Sequence, residues 1–405
     1  MMSDTATDAL HWRVVGLCWL VLALEGYDIS AIGYSIPSLV DAWHLRPPAF
    51  TAALTAGSLG MLVGALIGGP LGDWIGRKPV LLGSVAAFGL FSLLSASVTG
   101  PDLLAVYRFL TGVGLGAGIP LAIALASDHA PPGSQGKLVI LMSSGVSVGN
   151  TLGGFLAAWM VPHFGWPAIF IVGGLLPVVV LPVLWARLPE SALLAAIERH
   201  RNPVSALFAP RLALATCLLW AMNLLNLLGN YFILFWMPAI LHSQGFTPSR
   251  AILGGSMYAL GSILGALITA PIVDRLGAER VLSVVLVIGA LAVLSIGLLP
   301  LPFAALAGVI CLAGIGIGGC QHGINSLSGR IYPPSIRSTG AGWALGSGRI
   351  GNIAGPLVGG ILLSLGWLPT DIFLAAAGPA FCVALCMVML GRTTQRAALR
   401  QMTAV

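Results

Sequence analysis

Charge is the scarcest property of this chain. Asp, Glu, Lys and Arg make up 8% of its 405 residues, against about 25% in a soluble domain. No single soluble core can hide the 57% that is hydrophobic, so a soluble enzyme or binding module is excluded. Cysteine is sparse as well. Cys18, Cys217, Cys311, Cys320, Cys382 and Cys386 all fall inside apolar runs, without metal-ligand spacing and outside any loop where an oxidising compartment would pair them. They read as packing residues. The chain has no His/Cys cluster, nucleotide-binding loop or catalytic-triad spacing, so no cofactor, metal or enzymatic reaction is expected. A cleavable signal pattern is also missing, and the first apolar run reads as a retained helix.

What is abundant is apolar length. Mean hydropathy is +0.97, with 53 Gly and 26 Pro, both commoner in membrane helices than in soluble ones. Twelve apolar runs follow one another: 14–40, 49–71, 79–98, 103–126, 138–161, 167–185, 212–241, 251–273, 281–299, 303–327, 338–363 and 372–390. Each has about the 20 residues that a bilayer crossing needs. The expected fold class is therefore an all-α membrane protein of twelve transmembrane helices.

The net charge of +6 does not point to nucleic acid. With a cytoplasmic N-terminus, fifteen of the 19 Lys and Arg fall on the cytoplasmic side, and only Arg46 and Arg250 fall outside. That is the positive-inside pattern. It places both termini in the cytoplasm of an inner-membrane protein surrounded by lipid.

The chain also repeats itself. Gly112-Val113-Gly114-Leu115-Gly116 recurs 202 residues later as Gly314-Ile315-Gly316-Ile317-Gly318, Pro131-Pro132 as Pro333-Pro334, and Gly149-Asn150 as Gly351-Asn352. Earlier the offset is 201: Trp19 matches Trp220, Pro37 matches Pro238, Asp73 matches Asp274 and Gly76 matches Gly277. The expected organisation is an N-terminal six-helix half (1–185), a cytoplasmic linker (186–210), a C-terminal half (211–391) and a cytoplasmic tail (392–405). Parallel repeats of this kind place a substrate site near the bilayer midplane at their interface, as in major facilitator transporters.

Inside the twelve runs only four fully charged residues remain: Glu25, Asp28, Arg108 and Arg349. An ionised acid at membrane depth costs roughly 2.5–3.5 kcal/mol on insertion scales. Glu25 and Asp28, three residues apart on one helix face, must therefore meet a polar cavity, a cation or a proton. Two acids and two bases balance, so they can neutralise one another when no substrate is bound. A carboxylate substrate then needs its own cation. Arg349 is the first choice, because guanidinium grips a carboxylate bidentately, and Arg108 the second. Arg108 sits five residues into its run, so snorkelling to the surface is the other reading.

Asn223, Asn226 and Asn230 form a polar stripe at i, i+3 and i+7. The stripe either lines a cavity or bonds helix to helix. By the 201 offset, Asn226 is the counterpart of Glu25. Tyr231, Phe235 and Trp236 follow; they either stack on an aromatic ring or, for Trp236, anchor the membrane interface. Gln321, His322 and Asn325 are candidates to hydrogen-bond a ring hydroxyl, while pairing within the bundle is the alternative for His322.

Several stretches resemble a known family. Gly69-Pro-Leu-Gly-Asp73-Trp-Ile-Gly76-Arg77-Lys78 resembles the major facilitator signature between helices 2 and 3. The resemblance implies a cytoplasmic gate built on Asp73, Gly76 and Arg77. In the second half Asp274, Arg275 and Gly277 are kept, while Ala278-Glu279-Arg280 departs from the pattern. Arg108-Phe-Leu-Thr-Gly112-Val-Gly114-Leu-Gly116 resembles the helix 4 motif, which favours a cavity role for Arg108. Glu25-Gly26-Tyr27-Asp28, Gln321-His322-Gly-Ile-Asn325, Tyr332-Pro-Pro-Ser-Ile-Arg337, Gly346-Ser-Gly-Arg349-Ile-Gly351 and Gly355-Pro356 resemble the aromatic acid:H⁺ symporter family. Leu-Phe-Ala-Pro at 207–210 is most similar to its 3-(3-hydroxyphenyl)propionate branch.

The resemblance implies proton-coupled uptake of a small aromatic carboxylate, such as 3-(3-hydroxyphenyl)propionate, hydroxybenzoate or benzoate, by a monomeric carrier. It makes Asp28 and Glu25 the proton-coupling pair and puts Tyr27 in the substrate site. Arg337, at the cytoplasmic end of the eleventh run, serves topology or gating. The family's helix 1 pattern begins with Asp, and Glu25 departs from it. The alternatives are an efflux antiporter, weakened because the fifth run has no proline, and a carrier with a chemosensory role.

Overall fold

The computed structural model describes residues 2–129, 135–190, 204–210, 212–333 and 336–402, without the side chains of 2–11, 135–140, 274, 337, 338 and 393–402. Pro131-Pro132, much of the expected linker, the side chains of Asp274 and Arg337 and the end of the tail lie outside these residues. Among the described residues there are thirteen α-helices: α1 (Met2–Trp43), α2 (Thr51–Ile75), α3 (Arg77–Ser95), α4 (Pro101–Asp128), α5 (Gln135–Phe164), α6 (Pro167–Arg187), α7 (Ala213–Ser243), α8 (Pro248–Leu276), α9 (Ala278–Leu298), α10 (Phe303–Gly316), α11 (Cys320–Ile331), α12 (Arg337–Ser364) and α13 (Pro369–Met402). Each apolar run is helical, and α10 with α11 forms one span. Among the described residues ten spans are long and apolar enough to cross a membrane. The other two, α5 and α12, have 30 and 28 residues, about 45 and 42 Å of helix.

Three expectations of local structure are corrected. The gap between the second and third apolar runs, 72–78, is almost wholly helical: α2 runs to Ile75, α3 starts at Arg77, and Gly76 alone turns the chain at φ +108°. Only glycine adopts that backbone without strain, and Gly277 at φ +87° does the same between α8 and α9. The tenth run is not one continuous helix. Its backbone breaks over 317–319, where the Gly319 amide donates to the Gly314 carbonyl at 3.0 Å. This i→i−5 bond is the widened turn often found at functional sites. The fifth helix does contain a proline, Pro162, in its last turn. Val161 precedes it, so no Gly-Pro pair arises.

The described residues group into two compact units. The first holds residues up to Glu198 together with Pro238–Ser256; the second holds Arg199–Met237 and everything from Met257 onward. In the first, His242 Nε2 lies 2.9 Å from Asp41 Oδ1, and the Ser249 hydroxyl donates to the Ala158 carbonyl at 2.7 Å. Asp41 and His242 occupy equivalent repeat positions, 201 apart.

The duplication is written in the packing of each unit. In the first, a Cβ at Gly60 of α2 would strike the Phe109 carbonyl of α4, and one at Gly149 of α5 the Ala23 carbonyl of α1. In the second, Gly261 of α8 meets the Cys311 carbonyl of α10 in the same way, and Gly351 of α12 the Leu224 carbonyl of α7. Helix backbones touch at these positions, which is how van der Waals packing holds helices together in lipid. Gly149→Ala is therefore expected to destabilise the protein by about 1–3 kcal/mol. It should lower the unfolding temperature in detergent. Gly83→Ala, where a Cβ meets nothing within 4 Å, should leave that temperature unchanged or slightly raised.

All six cysteines are free; Cys18 and Cys320 are buried, whereas Cys217 and Cys382 are exposed and do not pack a core. Trp236 is not an interface anchor either. It is fully buried, and its indole N–H donates to the Pro356 carbonyl at 2.9 Å.

Candidate functional site

In the first unit the membrane charges converge. Asp28 on α1 and Arg108 on α4 are 0% and 2% exposed. Arg108 Nη1 donates to Asp28 Oδ1 at 2.7 Å, and Nη2 donates to the Asp28 main-chain carbonyl at 2.9 Å. The guanidinium also lies 6.0 Å from the Phe170 ring centroid of α6, within cation–π range. Arg108 therefore does not snorkel to the surface. Asp28 Oδ2 and Arg108 Nε have no hydrogen-bond partner among the described residues. That oxygen can take a proton, and the Ser92 hydroxyl of α3 is the other side chain that acts on this carboxylate besides Arg108. A buried ion pair adds little net stability over an apolar pair of the same shape, so its presence in a membrane core calls for a functional reason.

Glu25, one turn earlier on α1, is also fully buried. Its carboxylate lies over Gly118 of α4, where a Cβ would collide with it, and close to the Ser84 hydroxyl of α3. Tyr27 points elsewhere. Its hydroxyl donates to the Ile169 carbonyl of α6 at 2.8 Å, and its ring fills the space left by Gly153 and Gly173.

In the second unit, Asn223, Asn226 and Gln321 form an amide network that links α7 to α11. Asn226 Nδ2 donates to Gln321 Oε1 at 2.7 Å and to the Ile317 carbonyl at 3.3 Å. Gln321 Nε2 donates to Asn223 Oδ1 at 3.1 Å and Asn325 Oδ1 at 2.8 Å, and Asn223 Nδ2 donates to the Leu219 carbonyl at 3.0 Å. The break between α10 and α11 is what turns the Ile317 carbonyl toward α7, because Gln321 N–H bonds to Gly318 instead of Ile317. Asn230 Oδ1 accepts from the Tyr258 hydroxyl at 2.7 Å. The asparagine stripe thus bonds helix to helix.

Arg349 on α12 and Tyr231 on α7 are both partly buried, and Arg349 is close enough to Tyr231 to act on it electrostatically. Tyr231 packs edge-on against Phe235, with ring centroids 5.5 Å apart. Among the described residues, Arg349 makes no ion pair. His322 is partly buried beside this network.

At the other end of the first unit, Arg77 pairs with Asp128, the last residue of α4. Glu190, just past α6, accepts the Arg77 and Lys78 amides at 2.9 and 3.2 Å. A carboxylate at this helix N-terminus satisfies orphan amides and complements the helix dipole. Asp73 lies within α2, three residues before Gly76.

Asp128, Glu190, Phe170 and Tyr258 are the participants that residue patterns alone did not single out. Asp128 stands two residues beyond an apolar run and its repeat counterpart is Arg330, so the offset gave no hint. Glu190 is one charge among several in a polar stretch.

Comparison with known proteins agrees with this architecture. The Major Facilitator Superfamily model matches residues 18–238 and again 219–402. The chain is 35% identical to the gallate transporter of Pseudomonas putida over 96% of this chain and 94% of the relative. It is 40% identical to the 3-(3-hydroxy-phenyl)propionate transporter of Escherichia coli (strain K12), over 91% of each. Identity to the 4-hydroxybenzoate transporter PcaK of Pseudomonas putida is 33%, over 91% of this chain and 90% of the relative. Among solved structures, a D-xylose-proton symporter superposes with a TM-score of 0.76 at 18% identity, covering 93% of this chain and 97% of that one. That likeness shows the shared fold of twelve transmembrane helices in two halves. The chain belongs to the Major Facilitator Superfamily, in the same family as these aromatic-acid transporters, and is a carrier rather than an enzyme.

Proposed function

We propose that the protein takes up a small aromatic carboxylate together with a proton, across the inner membrane, by alternating access. The observation that carries this reading is the unequal state of the two membrane arginines. Arg108 is committed to Asp28, while Arg349, partly buried on α12, has no acidic partner among the described residues, and its helix packs on α7 through Gly351 and Gly355. A carboxylate substrate needs a cation in a poorly solvated place, and Arg349 supplies one with a planar fork of donors. The ring of the substrate then rests against Tyr231 and Phe235.

Asp28 is the coupling acid in this scheme, with Glu25 the second candidate. On the side of higher proton concentration Asp28 takes a proton on Oδ2, the oxygen without a partner. Its hold on Arg108 weakens while the substrate carboxylate neutralises Arg349, so one proton and one monoanion load the carrier without adding net charge to a low dielectric. On the other side substrate and proton leave and the Asp28–Arg108 pair re-forms. Asp73, Gly76 and Arg77, with Asp128 and Glu190, are proposed to gate the cytoplasmic end, and Arg337 belongs with them by its place at the start of α12.

The relatives named for gallate, 4-hydroxybenzoate and 3-(3-hydroxy-phenyl)propionate support the substrate class, since all three are aromatic carboxylates. Uptake of radiolabelled benzoate and 4-hydroxybenzoate into right-side-out vesicles, with and without an imposed pH gradient, tests the scheme. Accumulation driven by an acidic exterior is expected. Accumulation only in everted vesicles means efflux, and none in either orientation removes aromatic acids as substrates.

A further inference from the structure

The amide network of the second unit leaves one atom with nothing to bond. The orientation of each amide follows from two backbone carbonyls, which only accept. The group of Asn226 that faces the Ile317 carbonyl must be its NH₂, and the group of Asn223 that faces the Leu219 carbonyl must be its NH₂. Gln321 between them is then fixed, with Oε1 toward Asn226 and Nε2 toward Asn223 and Asn325. Both N–H bonds of Asn226 are used. Its Oδ1 is buried, with the residue 1% exposed, and has no hydrogen-bond partner among the described residues. Flipping the amide would set oxygen against the Ile317 carbonyl, so the orphan is an acceptor and cannot be exchanged for a donor. Leaving a buried acceptor unsatisfied is unfavourable, and such an atom in a native structure needs a reason.

We propose that Asn226 Oδ1 accepts a hydrogen bond from a ring hydroxyl of the substrate, and so selects hydroxylated aromatic carboxylates over those with a bare ring. This rests on the transport reading above. Gly348 and Gly351 of α12 pack against Asn223, Leu224, Leu227 and Leu228 of α7, which sets the Arg349 backbone at the level of Asn226. A carboxylate held by Arg349 then places the ring of a hydroxybenzoate within reach of that amide. A site built around a hydrogen bond to the substrate discriminates sharply against the analogue that lacks it, because its own polar group is left unpaired.

The test compares benzoate, 3-hydroxybenzoate, 4-hydroxybenzoate and 4-methoxybenzoate as radiolabelled substrates of the full-length protein in proteoliposomes. In the wild type, KM for at least one hydroxybenzoate should be about tenfold lower than for benzoate. Methoxybenzoate, which keeps the oxygen but donates nothing, should behave like benzoate or worse. In Asn226→Ala the ratio of KM for benzoate to KM for the hydroxybenzoate should fall to within about twofold, whatever change in KM the two share. If the variant does not fold, the wild-type methoxy comparison still decides. Equal KM for the hydroxy and methoxy compounds, or an equal rise for all substrates in Asn226→Ala, overturns the assignment while leaving aromatic-acid transport intact. Transport of none of the four overturns both.

Discussion

Asp28→Asn is expected to abolish uphill accumulation of aromatic acid while sparing exchange of labelled for unlabelled substrate. The amide has the shape of the carboxylate and keeps an oxygen for Arg108 Nη1, now 2.7 Å from Asp28 Oδ1, but it neither gains nor loses a proton. It stands in for the protonated acid throughout the cycle. A pH difference of one unit supplies about 1.4 kcal/mol per proton, or tenfold accumulation. In the variant the inside-to-outside ratio should fall to about one whatever gradient is imposed, and counterflow should persist. Full accumulation by Asp28→Asn would move the coupling proton to another group, Glu25 first.

The second large effect is expected at Arg349. Removing one partner of a poorly solvated charge pair typically costs about 2–5 kcal/mol, so Arg349→Ala should raise KM about thirtyfold or more. Arg349→Lys should fall between, because the ammonium keeps the charge and loses the bidentate fork. Ligand-induced thermal stabilisation of purified protein separates binding from transport. Benzoate should raise the unfolding temperature of the wild type and leave that of Arg349→Ala unmoved. An Arg349→Ala protein still stabilised by benzoate to the wild-type extent would return the carboxylate site to Arg108. Truncating Arg108 itself is a less informative experiment, since it strands Asp28 as a buried acid and is expected to cost about 3–5 kcal/mol of stability.

The twelve helices were legible in the sequence because a bilayer demands long uninterrupted apolar runs, and the glycine contacts of the two units, Gly149 and Gly351 among them, recur at the repeat offset. The four membrane charges were legible for the same reason: in so apolar a chain any charge stands out. Their partners were not. Whether Asp28 meets Arg108 depends on how α1 lies on α4, a contact between residues 80 positions apart, and composition carries no record of it.

Nor did periodicity reveal the break over 317–319. Gly314-Ile-Gly-Ile-Gly matches Gly112-Val-Gly-Leu-Gly of α4, which stays helical through to Asp128. One visible difference is the second glycine, Gly319, where the 202 offset gives Ala117 in the first repeat. That break frees the Ile317 carbonyl, and the carbonyl in turn orients Asn226. The asparagine stripe was visible as polar spacing, yet the one unsatisfied acceptor on it follows only from the bonds its neighbours make.

Proton movement itself gives the most direct test. Purified protein in proteoliposomes, without an imposed gradient, is given benzoate or 4-hydroxybenzoate outside while an external pH indicator is followed. Coupled uptake predicts a rise in external pH that begins with substrate addition, saturates with substrate, and is lost in Asp28→Asn. Substrate entering the wild-type vesicles with no change in external pH, beyond that seen in protein-free liposomes, would contradict proton-coupled uptake.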